Sequence, residues 1–245
     1  MKYVMDLHTH TIASGHAYST LQENITGARE LGLQVLGLSE HGPAMPGGPD
    51  MMYFWNLKIV PRQYGDLRLL CGAEANILNH EGKLDMDDFT LSRLDYCIAS
   101  MHTPCLKQGS VEENTRAAVN AMKNPYVTIL GHPDDSRYPL DYEALVQAAV
   151  QEKVILEVNN SSLHPLSARQ GARDNILSLL KVCKKYQCPV ILGTDSHISF
   201  HIGVFEQAQE LLEKVDFPEE LMINTSVEKL EQVLGKSLGC KKKSP

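Results

Sequence analysis

The amino-acid sequence predicts an α/β fold in which parallel strands alternate with helices. Short apolar runs rich in β-branched residues recur along the 245 residues, as expected of strands buried on both faces of a sheet. Segments with helical periodicity separate most of these runs. No change in composition marks a linker, so residues 1–245 are expected to form a single domain.

Seven strands are predicted from these runs. They cover residues 3–7, 34–40, 67–74, 95–101, 126–131, 153–159 and 189–195. The alternation of strand and helix predicts a parallel sheet, which either closes into a barrel or stays open and doubly wound. The alternation alone does not choose between the two.

Three of the intervening helices carry an N-terminal capping signal. The pairs, in chain order, are Ser19 with Gln22, Ser110 with Glu113, and Thr225 with Glu228. Gly32 is expected to end the first of these helices, because glycine readily adopts the left-handed conformation that often follows a helix.

The connection 42–66 is long, rich in Gly and Pro, and holds the only tryptophan, Trp55. Long loops of this composition in α/β folds often act as lids or specificity loops. A surface loop fastened by the apolar residues Tyr53, Phe54 and Trp55 explains the same composition equally well.

The charge balance favours a small substrate. A net charge of −7 and an isoelectric point near 5.8 argue against the broad basic face that binding to nucleic acid or membrane requires. The basic run Lys241–Lys243 is expected to be a solvated tail. Six cysteines without a C-x-x-C pair, and the lack of a signal peptide or long apolar run, favour free thiols and a cytoplasmic location.

Side chains of metal-binding type follow six of the seven predicted strands. They are His8 and His10 after the first strand with His16 in the loop beyond, His41 after the second, Glu74 at the third, His102 after the fourth, His132 after the fifth, and Asp195 with His197 at the seventh. Because the carboxyl ends of parallel strands meet at one edge, these side chains are expected to converge. His80, His164 and His201 lack this placement and are expected to be ordinary surface or hydrogen-bonded histidines.

The donor types indicate which metals would bind. Imidazole and carboxylate without thiolate fit Zn²⁺, Mn²⁺ or Fe²⁺, and the histidine-rich set favours zinc. The i and i+2 spacing of His8 and His10 places both rings on one face of a strand. The nine candidates exceed the needs of one or two ions with open positions, so about three ions per chain are expected. Such a cluster makes bound water acidic and holds a phosphoryl oxygen, which predicts phosphoester hydrolysis.

The motifs "DLHTHT", "EHG", "GAEANI", "ASMH", "GHPD" and "GTDSH" occur in this order. With them the chain resembles the PHP (polymerase and histidinol phosphatase) family, most closely its YcdX-like phosphatase branch. The resemblance implies a distorted seven-stranded, TIM-like (β/α) barrel with a trinuclear metal centre at the C-terminal ends of the strands. It assigns one ion to His8, His10, Glu74 and Asp195, a second to Glu74, His102 and His132, and a third to His16, His41 and His197.

Four further residues are candidates for substrate binding. Asn159 and Asn160 end the sixth predicted strand, where they could bind substrate or cap a turn. Arg137 and Arg169 lie in loops on the same side and could hold a phosphate, or be solvated surface side chains. Asp195 or a ligand histidine is the candidate that protonates the leaving group.

The leading hypothesis is a metal-dependent phosphatase of small phosphomonoesters, with a metal-bridging hydroxide as nucleophile and Asp195, Glu74, His102 and His132 in the catalytic set. The alternatives are a histidinol-phosphate phosphatase, a metal-dependent nuclease or phosphodiesterase, and an accessory module in which the metals only stabilise the fold. An amidohydrolase fits less well, because no strand-end lysine is present to bridge metals. The sequence does not indicate an oligomeric state.

Overall fold

The computed structural model describes residues 1–239, in which parallel strands alternate with helices as predicted. The strands are β1 (Met5–Asp6), β2 (Val35–Leu38), β3 (Gln63–Tyr64), β4 (Leu67–Cys71), β5 (Ala73–Asn76), β6 (Cys97–Ser100), β7 (Ile129–Leu130), β8 (Ile155–Asn159) and β9 (Val190–Gly193). The helices are α1 (Leu21–Glu30), α2 (Met51–Asn56), α3 (Asp88–Leu91), α4 (Val111–Met122), α5 (Tyr142–Glu152), α6 (Ala172–Tyr186), α7 (Glu206–Lys214) and α8 (Val227–Leu234). Cys240 and the predicted tail Lys241–Lys243 lie outside the described residues.

The strands form two sheets, in the orders β1-β2-β4-β3 and β5-β6-β7-β8-β9. All pairs are parallel except β3 with β4. The α/β class is therefore confirmed, but residues 1–239 contain nine strands in two sheets instead of seven strands in one closed barrel. Single parallel bridges, Thr9 with Ser196 and His41 with Glu74, connect the sheets near the strand ends.

The predicted strand 67–74 is divided at Gly72. Its first half, β4, pairs with β2, and its second half, β5, pairs with β6. The Tyr96 ring lies so close to Gly72 that a Cβ at this position would overlap it, and the Tyr96 hydroxyl donates to the Leu7 carbonyl at 2.5 Å. The run 67–74 has the pattern of one buried strand, so hydrophobic periodicity could not predict the division.

The capping box of Ser110 with Glu113 is confirmed at α4. Helix α1 instead begins after Thr20, one residue beyond the predicted Ser19, because the Ser19 hydroxyl accepts a hydrogen bond from the Ser199 backbone N–H at 2.8 Å. A hydroxyl used in a tertiary contact is not free to cap a helix.

Helix α8 shows the same one-residue difference. It begins after Ser226, whose hydroxyl accepts from the Lys229 backbone N–H, while the predicted cap Thr225 donates its hydroxyl to the Met222 carbonyl at 2.9 Å. Gly32 follows α1 in the left-handed conformation, with φ of 71°, as predicted.

The hydrophobic core has two parts. The larger part joins the strands to the surrounding helices. The smaller part draws side chains from both sheets, including Val35, Leu70, Ile98 and Ile155, and Leu230 of α8 packs into it. Full burial of such side chains stabilises the fold by about 1.5–3 kcal/mol each. The two sheets thus share one interior, and their carboxyl ends open on the same side.

The connection 42–66 is built into the fold through α2. Phe54 is only 2% exposed and Leu57 is 4% exposed, and both belong to the larger core. Trp55 lies on the outer side, 42% exposed, with its indole N–H donating to the Thr90 hydroxyl at 2.9 Å. The segment is therefore fastened to the fold by apolar contacts centred on Phe54.

Among residues 1–239, no helix combines the length and the apolar character needed to cross a membrane. Five cysteines of this range carry free thiols: Cys71, Cys97, Cys105, Cys183 and Cys188.

Candidate metal centre

All of the predicted ligand side chains lie together beyond the carboxyl ends of the strands. Glu74 is fully buried at their centre. Imidazole nitrogens approach its carboxylate from His8 at 3.3 Å, His10 at 3.5 Å, His41 at 2.7 Å, His102 at 3.2 Å and His132 at 2.9 Å. Five histidines from four different strand ends therefore converge on one carboxylate.

Asp195 forms a second meeting point. Its Oδ1 lies 3.2 Å from His10 Nε2 and 3.6 Å from both His8 Nε2 and His197 Nδ1. His16 is exposed in the loop after β1, and its ring centroid lies 4.8 Å from that of His197. His16 is thus the outermost of the nine candidates.

Several of these atoms are buried without a hydrogen bond. Within residues 1–239, His8 Nε2, His10 Nε2, His41 Nδ1 and Glu74 Oε2 have no hydrogen-bond partner, although each has a close polar neighbour. Leaving one such atom unpaired in the interior costs about 1–3 kcal/mol. Their lone pairs would be satisfied by a cation between them, so this donor set fits a metal ion. Four overlapping triads could hold one: His10–His41–His197, His8–His132–Asp195, His8–His10–Glu74 and His41–Glu74–His102.

The electrostatics of the cluster differ among its donors. Burial alone would lower the pKa of His8, but the carboxylates of Glu157 and Glu74 outweigh it and raise this pKa well above its ordinary value. Burial alone would raise the pKa of Glu74, but His102 and His8 outweigh it and hold this pKa well below its ordinary value. Burial, together with the neighbouring His41, holds the pKa of His10 well below its ordinary value, and burial lowers the pKa of His102 to about 4. Metal binding requires ionised carboxylates and neutral imidazoles, so Glu74, His10 and His102 are in the competent form near neutral pH, whereas a metal would displace a proton from His8.

Two of the candidates have strained backbones. His132 has φ of 28° and Asp195 has φ of 51°, both in the left-handed region that non-glycine residues rarely adopt. Such conformations cost about 1–3 kcal/mol each and concentrate at functional sites, where the surrounding structure holds them.

Comparison with known proteins identifies the family. Residues 6–161, more than half of the chain, match the PHP domain. The chain belongs to the PHP domain family. A probable phosphatase of Clostridium acetobutylicum is 50% identical over 234 residues, covering 96% of this chain and 95% of the relative. The resemblance inferred from the motifs is therefore confirmed.

Two solved structures share the fold of this PHP domain. One is a histidinol phosphate phosphatase from Lactococcus lactis, complexed with zinc, L-histidinol and phosphate, with a TM-score of 0.53 over 88% of this chain and 95% of that one. The other is a chain in the structure of archaeal ribonuclease P with mature tRNA, with a TM-score of 0.57 over 94% of this chain and 90% of that one. Each is 16% identical to this chain, so the likeness concerns the fold alone.

Sequence reasoning missed Glu157, a buried carboxylate on β8 of the PHP domain. Its Oε1 accepts from His8 Nδ1 at 2.6 Å and its Oε2 accepts from the His132 backbone N–H at 2.7 Å. The bond to Nδ1 orients the His8 ring so that Nε2 faces Glu74 Oε1 at 3.3 Å, where a metal that displaces its proton would bind. Burial opposes ionisation of Glu157, but His8 outweighs it and lowers the pKa of this carboxyl. A charged residue inside the apolar run "KVILEVN" was the available signal.

Two other histidines have comparable supports. Asn76 Oδ1 accepts from His102 Nδ1 at 2.7 Å, which directs His102 Nε2 at the centre of the cluster. Ser14 Oγ lies 3.3 Å from His10 Nδ1 and donates to the buried Glu40 carboxylate at 2.5 Å. The rings are therefore oriented by the fold before any ligand binds.

Two of the four predicted substrate-binding residues support the carboxylates of the centre. Arg169 donates from Nη2 to Asp195 Oδ2 at 2.9 Å and from Nη1 to Asn159 Oδ1 at 3.3 Å. Asn159 is fully buried and donates to Glu157 Oε2 at 3.1 Å. Burial opposes the charge of Arg169, but Asp195 outweighs it and raises the pKa of the guanidinium.

The other two lie farther from the centre. Arg137 forms a two-pronged pair with Asp135, at 2.9 Å from Nε and 2.6 Å from Nη2, and contacts none of the nine candidate ligands within residues 1–239. Asn160 Oδ1 accepts from the Ala208 backbone N–H at 2.9 Å, and its side chain lines a cavity beside Asp195. His80, His164 and His201, which the sequence set apart, lie outside the cluster; His164 and His201 are exposed and His80 is half-buried.

Proposed function

We propose that this PHP domain is a metal-dependent phosphatase that hydrolyses small phosphomonoesters. The observation that carries the proposal is the convergence of five imidazoles on the buried Glu74 carboxylate, with nitrogen lone pairs that lack a hydrogen bond. The relatives named probable phosphatases support the reaction class. Zinc is the first choice of metal, because imidazole and carboxylate donors suit it, and Mn²⁺ or Fe²⁺ are the alternatives.

We infer about three ions, because the nine donors of the cluster, Glu74 included, exceed the coordination of two ions that keep open positions. One would be held by His8, His10, Glu74 and Asp195, a second by Glu74, His102 and His132, and a third by His16, His41 and His197. The triad His8–His10–Glu74 supports the first assignment. We also infer that the two sheets together act as one distorted barrel, since single bridges join them at the site.

When bound, the metals supply a water acidic enough to attack phosphorus at neutral pH and positive charge for the phosphoryl oxygens. The chain itself orients the donors: Glu157 holds His8, and Asn76 holds His102, so that each Nε2 faces Glu74. Arg169, 2.9 Å from Asp195, adds a fixed positive charge for a phosphate.

Asp195 serves as an acceptor and not as the proton donor to the leaving group. Burial alone would raise the pKa of its carboxyl, but His8 and Arg169 outweigh burial and hold that pKa well below its ordinary value. An ionised Asp195 has no proton to give at neutral pH. We therefore do not assign the proton transfer to Asp195.

The test replaces His102 and His132 with alanine together. We expect loss of phosphomonoester turnover and of bound metal, measured by phosphate release and elemental analysis, because both rings contact Glu74. Full turnover by the metal-depleted double variant would contradict the proposal.

A substrate panel separates this function from its alternatives. Efficient hydrolysis of histidinol phosphate above all other monoesters would indicate a histidinol-phosphate phosphatase. Degradation of single-stranded DNA, or faster hydrolysis of a diester than of the matching monoester, would indicate a nuclease or phosphodiesterase. The net charge of −7 favours the small monoester over the polymer.

A further inference from the structure

A cavity of about 350 Å³ lies beside Asp195, between residues 160–167 and 201–207. Asp195 forms part of its wall and, through Oδ1, contacts His10 of the candidate metal centre. The alcohol part of a substrate whose phosphate is held at that centre would therefore extend into this cavity. The chemistry of the wall indicates what this alcohol is.

The wall offers hydrogen-bond acceptors on the side of α7. Gln207 Oε1 is buried and has no hydrogen-bond partner within residues 1–239. A buried amide oxygen without a partner is costly, so a ligand that donates to it is strongly favoured. Glu206, at the start of α7, adds a carboxylate that makes no ion pair within the described part of the chain.

The wall also offers donors. The Ala208 backbone N–H donates to Asn160 Oδ1 at 2.9 Å, which fixes the amide orientation and leaves Nδ2 as a donor. The Leu166 backbone N–H donates to His164 Nδ1 at 3.1 Å, so the neutral His164 ring carries its proton on Nε2 and donates from there. Both residues line the cavity.

The charge of the wall excludes an anionic group. Among residues 1–239, the cavity is lined by no lysine or arginine, whereas Asp195 and Glu206 are both acidic. An ammonium group would use the acceptors but would offer no acceptor to the donors of Asn160 and His164. A hydroxyl both donates and accepts, so several hydroxyls on one carbon chain would satisfy both sides.

We infer that the cavity binds the leaving group of the substrate, and that this group is a neutral, hydroxyl-rich alcohol: the substrate is a sugar or polyol monophosphate. This inference rests on the proposed phosphatase function. Val204 and Leu166, which also line the cavity, provide aliphatic contacts for the carbon chain of such a ligand.

The test compares four phosphomonoesters of equal chain length with the metal-loaded enzyme: a hexitol phosphate, n-hexyl phosphate, 6-aminohexyl phosphate and a hexonic acid phosphate. We expect kcat/KM for the hexitol phosphate to exceed that for n-hexyl phosphate by about 100-fold or more, because the analogue leaves buried polar groups unpaired. The carboxylate-bearing compound should be the poorest substrate, because it faces two carboxylates.

Gln207→Met removes the unpartnered acceptor and keeps the length of the side chain. It should reduce the ratio of kcat/KM for hexitol phosphate over n-hexyl phosphate about tenfold, through loss of one hydrogen bond to a buried group. Gln209→Met is the matched control on the same helix, because Gln209 Nε2 donates to Glu213 and lies outside the cavity wall. It should keep the wild-type ratio.

Equal kcat/KM for the hexitol and n-hexyl phosphates, with both hydrolysed, would overturn the inference and leave the phosphatase function standing. A preference for 6-aminohexyl phosphate, or an unchanged ratio in Gln207→Met, would also overturn it. Hydrolysis of none of the four compounds or of phenyl phosphate, by enzyme of verified metal content, would overturn both the inference and the proposed function.

Discussion

Glu157→Gln tests whether a buried carboxylate outside the predicted ligand set controls metal binding. Glu157 accepts three hydrogen bonds: from His8 Nδ1 at 2.6 Å, from the His132 backbone N–H at 2.7 Å and from Asn159 Nδ2 at 3.1 Å. Two of these donors share Oε2. The single oxygen of a glutamine is expected on that side, which places its NH₂ against His8 Nδ1.

His8 Nδ1 would then have to accept a hydrogen bond, and the ring proton would move to Nε2. This nitrogen lies 3.3 Å from Glu74 Oε1 and would no longer offer a lone pair to a metal. Loss of one charge-assisted hydrogen bond costs about 1.5–3 kcal/mol. The expected result is therefore a loss of zinc affinity of about 10- to 100-fold, the range typical of residues that orient metal ligands.

The assay titrates metal-free protein with Zn²⁺ in competition with a coloured chelator, and then measures phosphate release at saturating metal. Glu220→Gln is the matched control, because Glu220 is exposed and is joined to none of the candidate ligands by a hydrogen bond or ion pair within residues 1–239. Zinc affinity within threefold of wild type, in a Glu157→Gln variant with unchanged circular dichroism and melting temperature, would refute the reasoning.

Three further predictions concern the same fold. Gly193→Ala should lower zinc affinity about tenfold without altering a ligand, because the added Cβ would overlap the Glu157 carboxylate. Gly27→Ala is the control and should leave zinc affinity unchanged, because its Cβ would meet no atom closer than 3.3 Å. In metal-free protein, burial lowers the pKa of His102 to about 4, so between pH 4 and 6.5 the unfolded state binds a proton on this ring that the folded state does not. The free energy of unfolding should therefore rise with pH across this window, and His102 should contribute at most about 3 kcal/mol to the rise. Denaturation of His102→Gln across the same pH range should show a smaller slope, and an equal slope would contradict this assignment. Phe54→Ala should reduce the free energy of unfolding by about 3–5 kcal/mol in urea titrations, because Phe54 is 2% exposed; a loss under 1 kcal/mol would contradict the attachment of segment 42–66 through this ring.

The convergence of the candidate ligands could be predicted because it depends on one simple rule. Residues at the carboxyl ends of parallel strands share an edge, so the positions of Glu74, His102 and His132 along the chain were enough to bring them together. The α/β class follows in the same way from the apolar runs and the helices between them.

The features that sequence reasoning missed depend on tertiary contacts. The division at Gly72 results from a ring, Tyr96, that is distant in sequence but adjacent in space. The cap of α1 moved by one residue because Ser19 is engaged by Ser199, a contact across 180 positions. The role of Glu157 likewise depends on His8, which is 149 positions away. Periodicity and spacing describe neighbours along the chain and do not contain these contacts.

The central claim, metal-dependent hydrolysis of a phosphomonoester, is tested most directly by measuring phosphate release from phenyl phosphate before and after removal of metal. The account predicts turnover by the metal-loaded protein, its loss once a chelator has reduced metal content below about one-tenth ion per chain, and its return when Zn²⁺ or Mn²⁺ is added back. An undiminished rate in the metal-free protein, or no phosphate release with any of Zn²⁺, Mn²⁺ and Fe²⁺, would contradict it.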